Sequence, residues 1–203
     1  MTGDASAGSP RTVTTPDGRT LACLEVGDPR GPLVLHNHGG PSSRLEARLF
    51  AAAAAKNGIR LVCVDRPGIG RSSRQKTRSY AGWAADLTAI ADALGCHEFG
   101  VTGWSEGGPW ALAAAAHIDS RRLRHVSSIA GGSYGTFGDN WAADRLSKAD
   151  AMGGTLALRF TPGFRLMYAV LGLTAKRYRR AYMDQLRKAV NGYDREILQR
   201  PEI

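Results

Sequence analysis

The sequence predicts an α/β fold, a mostly parallel sheet with helices on both faces. Two observations carry this. Short apolar runs at 33–36, 59–64, 99–102 and 123–130 alternate with longer segments of helical periodicity. The runs are too continuous for half-exposed strands, which suits strands buried on both faces. A third observation locates the working edge. His38-Gly39-Gly40, Asp65-Arg66-Pro67, Ser105 and Gly131-Gly132-Ser133 all follow strand carboxyl ends, where such sheets bind ligands.

Each element has its own signal. Residues 1–10 (MTGDASAGSP) lack the apolar stretch of a signal peptide and read as a disordered tail. Arg11–Thr15 and Thr20–Val26 form a hairpin across Pro16-Asp17-Gly18. Leu33–His36 is a buried strand broken by Gly39-Gly40-Pro41. Ser42 or Ser43 caps the next helix, with Leu45, Leu49 and Ala53 at helical spacing, and Gly58 ends it. Ile59–Val64 is a strand and 65–72 a turn-rich loop. Tyr80–Leu94 is a helix with Trp83, Leu87, Ile90 and Leu94 on one face, stopped by Gly95. A strand over Phe99–Thr102, an Ala-rich helix from Gly108-Pro109 and a strand over Leu123–Ala130 complete a core over 11–139.

From Asn140 onward the pattern is helical. Trp141–Met152 reads as a helix, and Leu156–Leu171 is apolar with a break at Thr161-Pro162-Gly163. Lys176–Val190 reads as a basic helix with Tyr178, Tyr182, Leu186 and Val190 on one face, and Asp194–Gln199 starts a last one. Residues 140–203 therefore read as a helical cap or lid.

The composition is 43% hydrophobic and 22% charged, that of an ordinary globular protein. The net charge of +9 is uneven: residues 141–203 hold 12 Lys/Arg against 6 Asp/Glu. A solvated helix face is the plain reading of that excess, and a membrane surface or anionic ligand the sharper one. No nucleic-acid motif accompanies it. Cys23, Cys63 and Cys96 have no metal-ligand spacing and fit buried thiols in a reducing compartment. No apolar run is long enough to span a bilayer. These features predict a cytoplasmic protein without a metal site.

The chemistry centres on Gly103-Trp104-Ser105-Glu106-Gly107, a G-x-S-x-G elbow between a strand and a helix. Gly103 and Gly107 fall where backbones must approach closely, and Pro109 suits a first helical turn. HGGP at 38–41, DRPGIGRS at 65–72 and GWSEGG at 103–108 follow three successive strands. Together they resemble the α/β-hydrolase superfamily of the cap-bearing serine type. The likeness implies Ser105 as nucleophile and an oxyanion hole from the backbone N–H groups of Gly40 and Glu106. It implies hydrolysis of an ester, amide or related bond of a small molecule through an acyl-serine, without a cofactor. HGGP with this elbow is also similar to prolyl aminopeptidases, but Glu106 stands where they carry Trp. Cofactor-free haloperoxidases and C–C hydrolases share the elbow. His36 reads as a core or supporting histidine. His38, Asp65 and Arg66 read as loop braces, Glu106 as solvent-facing or paired to an arginine, and Trp104 and Trp110 as core, with a lining of the acyl pocket as the alternative for Trp104.

The family pattern then breaks. A serine needs a base and an orienting carboxylate, in the order Ser, Asp or Glu, His. After Ser105 only His117 and His125 remain. His117 lies twelve residues on, roughly 18 Å along the helix, and His125 opens a strand at the far end of the sheet. Asp139, Asp144 and Asp150 have no histidine to orient. The acid and base are thus unassigned, and the final strands of the fold are expected to be missing, leaving 123–130 as an exposed edge open to self-association. The expectation is a C-terminally truncated hydrolase with impaired chemistry. The alternatives are completion by a partner chain, His38 as an unusual base, or a non-catalytic binding or remnant protein on the same scaffold.

Overall fold

The structure, a computed structural model, describes residues 8–132, 148–189 and 192. The chain divides into two compact units, Met1–Ser133 and Tyr134–Ile203. The first holds six strands: β1 (Ser9–Thr14), β2 (Thr20–Gly27), β3 (Leu33–Asn37), β4 (Arg60–Val64), β5 (Phe99–Trp104) and β6 (Leu123–Ile129). They form one sheet in the order β1-β2-β4-β3-β5-β6. The β1–β2 and β2–β4 pairs are antiparallel, and β4–β3, β3–β5 and β5–β6 are parallel. Helices α1 (Ala47–Lys56), α2 (Tyr80–Ala93) and α3 (Gly107–His117) make the connections. The predicted α/β-hydrolase-like, mostly parallel sheet is therefore present. β1 starts two residues before the expected strand, and residues 1–7 of the expected tail lie outside the described residues.

Alternation along the strands divides the core in two. Leu21, Cys23, Leu35, Val62 and Val64 join Trp83, Leu87 and Ile90 of α2 and Ala111 and Ala114 of α3. Leu24, Val26, Val34, Leu61 and Cys63 meet α1. Burial pushes the Cys23 thiol up to about 12 and Cys63 well above the usual thiol range. All three cysteines are free. Arg19, beside the hairpin turn, grips the buried Asp86 of α2 in a fork at 2.6 and 2.9 Å.

Helix α1 corrects one expectation. Leu45 and Leu49 are 45% and 52% exposed, and the buried stripe is Ala47, Ala51 and Ala54. Ser43 Oγ accepts the Leu45 N–H, and a 3₁₀ turn (Arg44–Glu46) precedes the α-helix proper. The small side chains bring α1 close onto β2 and β4, a contact a leucine stripe would hold apart.

β6 lies at the end of the sheet, with five of its seven residues exposed. A bulge falls at its pairing with Phe99 and Gly100.

The second unit contains α4 (Lys148–Arg159), α5 (Thr161–Arg177) and α6 (Arg179–Ala189), packed in succession. The break at 161–163 falls as expected, with Pro162 in the first turn of α5. The expected continuous helix over 176–190 is instead interrupted at Tyr178, whose φ is −127°. Residues 141–147, with Asp144, lie outside the described residues, as do Asp139 and the expected helix at 194–199.

Leu35 is fully buried, so Leu35→Ala is expected to lower unfolding free energy by about 2–5 kcal/mol. Leu49→Ala should stay within about 0.5 kcal/mol of the native protein. Urea titration followed by circular dichroism checks both.

Candidate active site

The parallel strands β3, β4 and β5 lie side by side, so the loops that follow them emerge at one sheet edge. Ser105 sits at the tip of the third loop with φ 51°. For a residue with a Cβ this conformation costs on the order of 1–3 kcal/mol and persists only where the surroundings over-determine it. Here they do. Ser105 N–H donates to Ile129 O at 2.9 Å, and its carbonyl accepts the Gly108 N–H at 2.9 Å. A Cβ on Gly103 would lie 2.1 Å from Gly107 O, and one on Gly107 would lie 2.0 Å from Asn37 O. Both glycines thus let the start of α3 press onto β5 and β3, as expected.

The loop after β3 lies against this elbow. A Cβ on Gly39 would be 3.4 Å from Ser105 Cβ, and one on Gly40 would be 1.9 Å from Glu106 Oε2. Gly40, Ser105 and Glu106 are therefore brought together. Among the described residues, the N–H groups of Gly40 and Glu106 and the Ser105 hydroxyl make no hydrogen bonds.

Buried charges hold the loops in place. The Glu46 carboxylate accepts the Gly39 N–H at 3.1–3.2 Å and touches His36 Nε2 at 2.8 Å. Its burial opposes ionisation, but hydrogen bonds from His36, Ser42 and Gly39 outweigh this and hold the carboxyl below its usual range. Asp65, fully buried, accepts from the Arg44 backbone N–H and guanidinium at 2.7 and 2.6 Å and from the Arg71 N–H at 2.9 Å. The Arg66 guanidinium donates to His38 O, lies 3.4 Å from Glu106 Oε1 and sits 6.0 Å from the Trp110 ring centre. Asp65 and Arg66 are loop braces, as expected, and Glu106 pairs with an arginine.

Glu46 was not among the expected residues. Its signal was an acid shortly after a Gly-rich loop and a capping serine, beside a histidine one strand away. Trp104 is 38% exposed, and so not core, edge-on to Phe50. Trp110 is half-buried against Tyr80 and Trp83.

None of the five histidines hydrogen-bonds to Ser105. His36 is held by Glu46. His38 Nδ1–H donates to Gly39 O at 2.7 Å, and its Nε2 faces the Arg66 N–H at 3.5 Å. His97 lies between α2 and β5, and His117 ends α3. His125 packs on Gly100, near the start of β5. Among the described residues no three His, Cys, Asp or Glu side chains gather as metal ligands. A crevice of about 220 Å³, counting space open to solvent, lies between Arg66, Arg78, Trp83 and Trp110.

Burial, followed by the Arg66 charge, pushes the His38 imidazole down to about 4. A depressed histidine favours the folded state while neutral. Its contribution is whole above about pH 6.5 and is lost as pH falls toward 4, reaching about 3 kcal/mol. Thermal melts from pH 7 to 4 should show this fall in stability, and His38→Asn should flatten it.

Comparisons with known proteins agree with this architecture. A family profile described as alpha/beta hydrolase fold matches residues 32–202. Epoxide hydrolase B of Mycobacterium tuberculosis is 35% identical over 91 residues, covering 42% of this chain and 26% of that protein. The chain thus spans about a quarter of the length of the curated relative it matches. A candidate aryl esterase from Burkholderia cenocepacia superposes with a TM-score of 0.52 at 29% identity, over 61% of this chain and 47% of that one. An esterase from Rhodococcus sp. ECU1013 does so with a TM-score of 0.52 at 27% identity, over 60% and 46%. With its profile match, its mostly parallel sheet and its strand–elbow–helix about Ser105, the chain belongs to the alpha/beta hydrolase fold family.

Proposed function

We propose that Ser105 is the nucleophile of a hydrolase that cleaves an ester, amide or related bond of a small molecule through an acyl-serine. The observation that carries this is the φ of 51° at Ser105, with Gly39 and Gly40 against it. In this reading the N–H groups of Gly40 and Glu106 bind the tetrahedral oxyanion, and a single such donor is worth about 2.7–4 kcal/mol. Residues 140–203 serve as a helical cap, the protein is cytoplasmic, and nucleic acid is not a ligand. The exposed β6 edge gives a route to self-association.

The names of the relatives suggest two reactions, and the nucleophile discriminates between them. A serine oxygen that opens an epoxide forms an alkyl ether, which water does not release by attack on a carbonyl. The same oxygen attacking an ester forms an acyl ester, which water does release. A serine nucleophile therefore favours the esterase-like reaction.

A second reading is favoured by the histidines. All five are bonded or placed elsewhere, so no histidine is seen to take the Ser105 proton. On this reading the 203 residues turn over slowly, or act as a non-catalytic binding scaffold.

A fluorophosphonate probe separates the readings. Labelling of the native protein that vanishes in Ser105→Ala supports the nucleophile, and p-nitrophenyl acetate then measures turnover. Failure to label a protein shown to be folded sinks the hydrolase reading and favours the scaffold.

A further inference from the structure

We propose that the α4–α6 unit binds the surface of an anionic lipid bilayer through an exposed apolar stripe of α5 flanked by basic residues. Leu166, Val170 and Leu173 of α5 are 66%, 51% and 65% exposed. Their spacing of four and three residues stacks them on one side of the helix, within roughly 60° of arc. Phe164, Met167 and Thr174, roughly 80–160° further round the helix, are half-buried. No residue of α5 is fully buried, and the leucine–valine stripe adjoins the half-buried side of the helix.

Cations border that stripe. Arg177 continues it at the next helical position, and Arg165 and Lys176 lie along one flank. Arg179 and Arg180 follow at the start of α6. Residues 148–189 carry nine Lys/Arg and two Asp/Glu. Leu158 and Phe160, at the α4–α5 junction, are 88% and 58% exposed.

Stripe and charge together decide the occupant. A nucleic acid would satisfy the cations and leave the leucines in water. A bilayer with acidic headgroups satisfies both: the aliphatic side chains enter the acyl boundary while Lys and Arg meet the phosphates. No described helix is long and apolar enough to cross a membrane, so binding is in the plane of the interface. The inference does not depend on the chemistry of Ser105.

The test is flotation of the whole chain with two kinds of vesicle: phosphatidylcholine alone, and phosphatidylcholine mixed with phosphatidylglycerol. The chain is expected to float with the mixed vesicles only, and salt should weaken binding. Replacing Lys176 and Arg177 by Ser should lower the partition coefficient roughly fivefold per cation. Leu166→Ser with Leu173→Ser should abolish flotation while circular dichroism shows the helices retained. No flotation of the native chain with mixed vesicles overturns the proposal. So does flotation that salt abolishes and the leucine substitutions leave unchanged, since the stripe would then serve a protein partner.

Discussion

A guanidinium buried to 3% exposure joins the loops on which the site depends. Arg66 leaves the end of β4, donates to the carbonyl of His38 after β3, and faces the carboxylate of Glu106 after β5. One side chain thereby ties three successive strand ends together. Burial holds its pKa below the ordinary arginine value, with the Glu106 charge opposing that fall. A buried cation is tolerated only when it is paired and hydrogen-bonded. Its partner Glu106 is 62% exposed, so water shares in solvating the pair. That arrangement keeps the desolvation cost moderate and leaves the carboxylate at the mouth of the elbow.

Glu46 complements Arg66 from the other side. It anchors the Gly39 N–H and His36, so the His38–Gly39 peptide is held between a buried anion and a buried cation. The Ser105 backbone is in turn fixed by Ile129 O and by the close contacts of Gly103 and Gly107. Preorganisation of this kind is what a developing oxyanion requires, because donors already in place need no reorganisation during reaction. The same rigidity holds the His38 ring in bonds other than one to Ser105. Its ring is spent on its own loop and is held neutral by burial.

Much of the fold was legible in the sequence. Apolar runs such as 59–64 and the period of Trp83, Leu87 and Ile90 each have one stable packing solution, and they fall where expected. The elbow glycines were legible because a sharp strand-to-helix turn has few alternatives. The burial of α1 was not. Leucine spacing suggested one face, but close approach to β2 and β4 selected the alanine face, a tertiary effect that periodicity does not contain. Glu46 and the Arg66–Glu106 pair were hidden for a related reason. Their partners lie 7 to 40 residues away, and only the strand order 4-3-5 brings them together. The break at Tyr178 lacked a Gly or Pro to announce it.

Arg66 holds the loop after β3 against the elbow. Hydrogen exchange in Arg66→Met, compared with the native protein, tests it most directly. Exchange is expected to quicken in segments 38–46 and 104–108 alone, with protection of β3, β4 and β5 retained. Unchanged exchange in those two segments would contradict it, because the loop would then keep its place without the guanidinium.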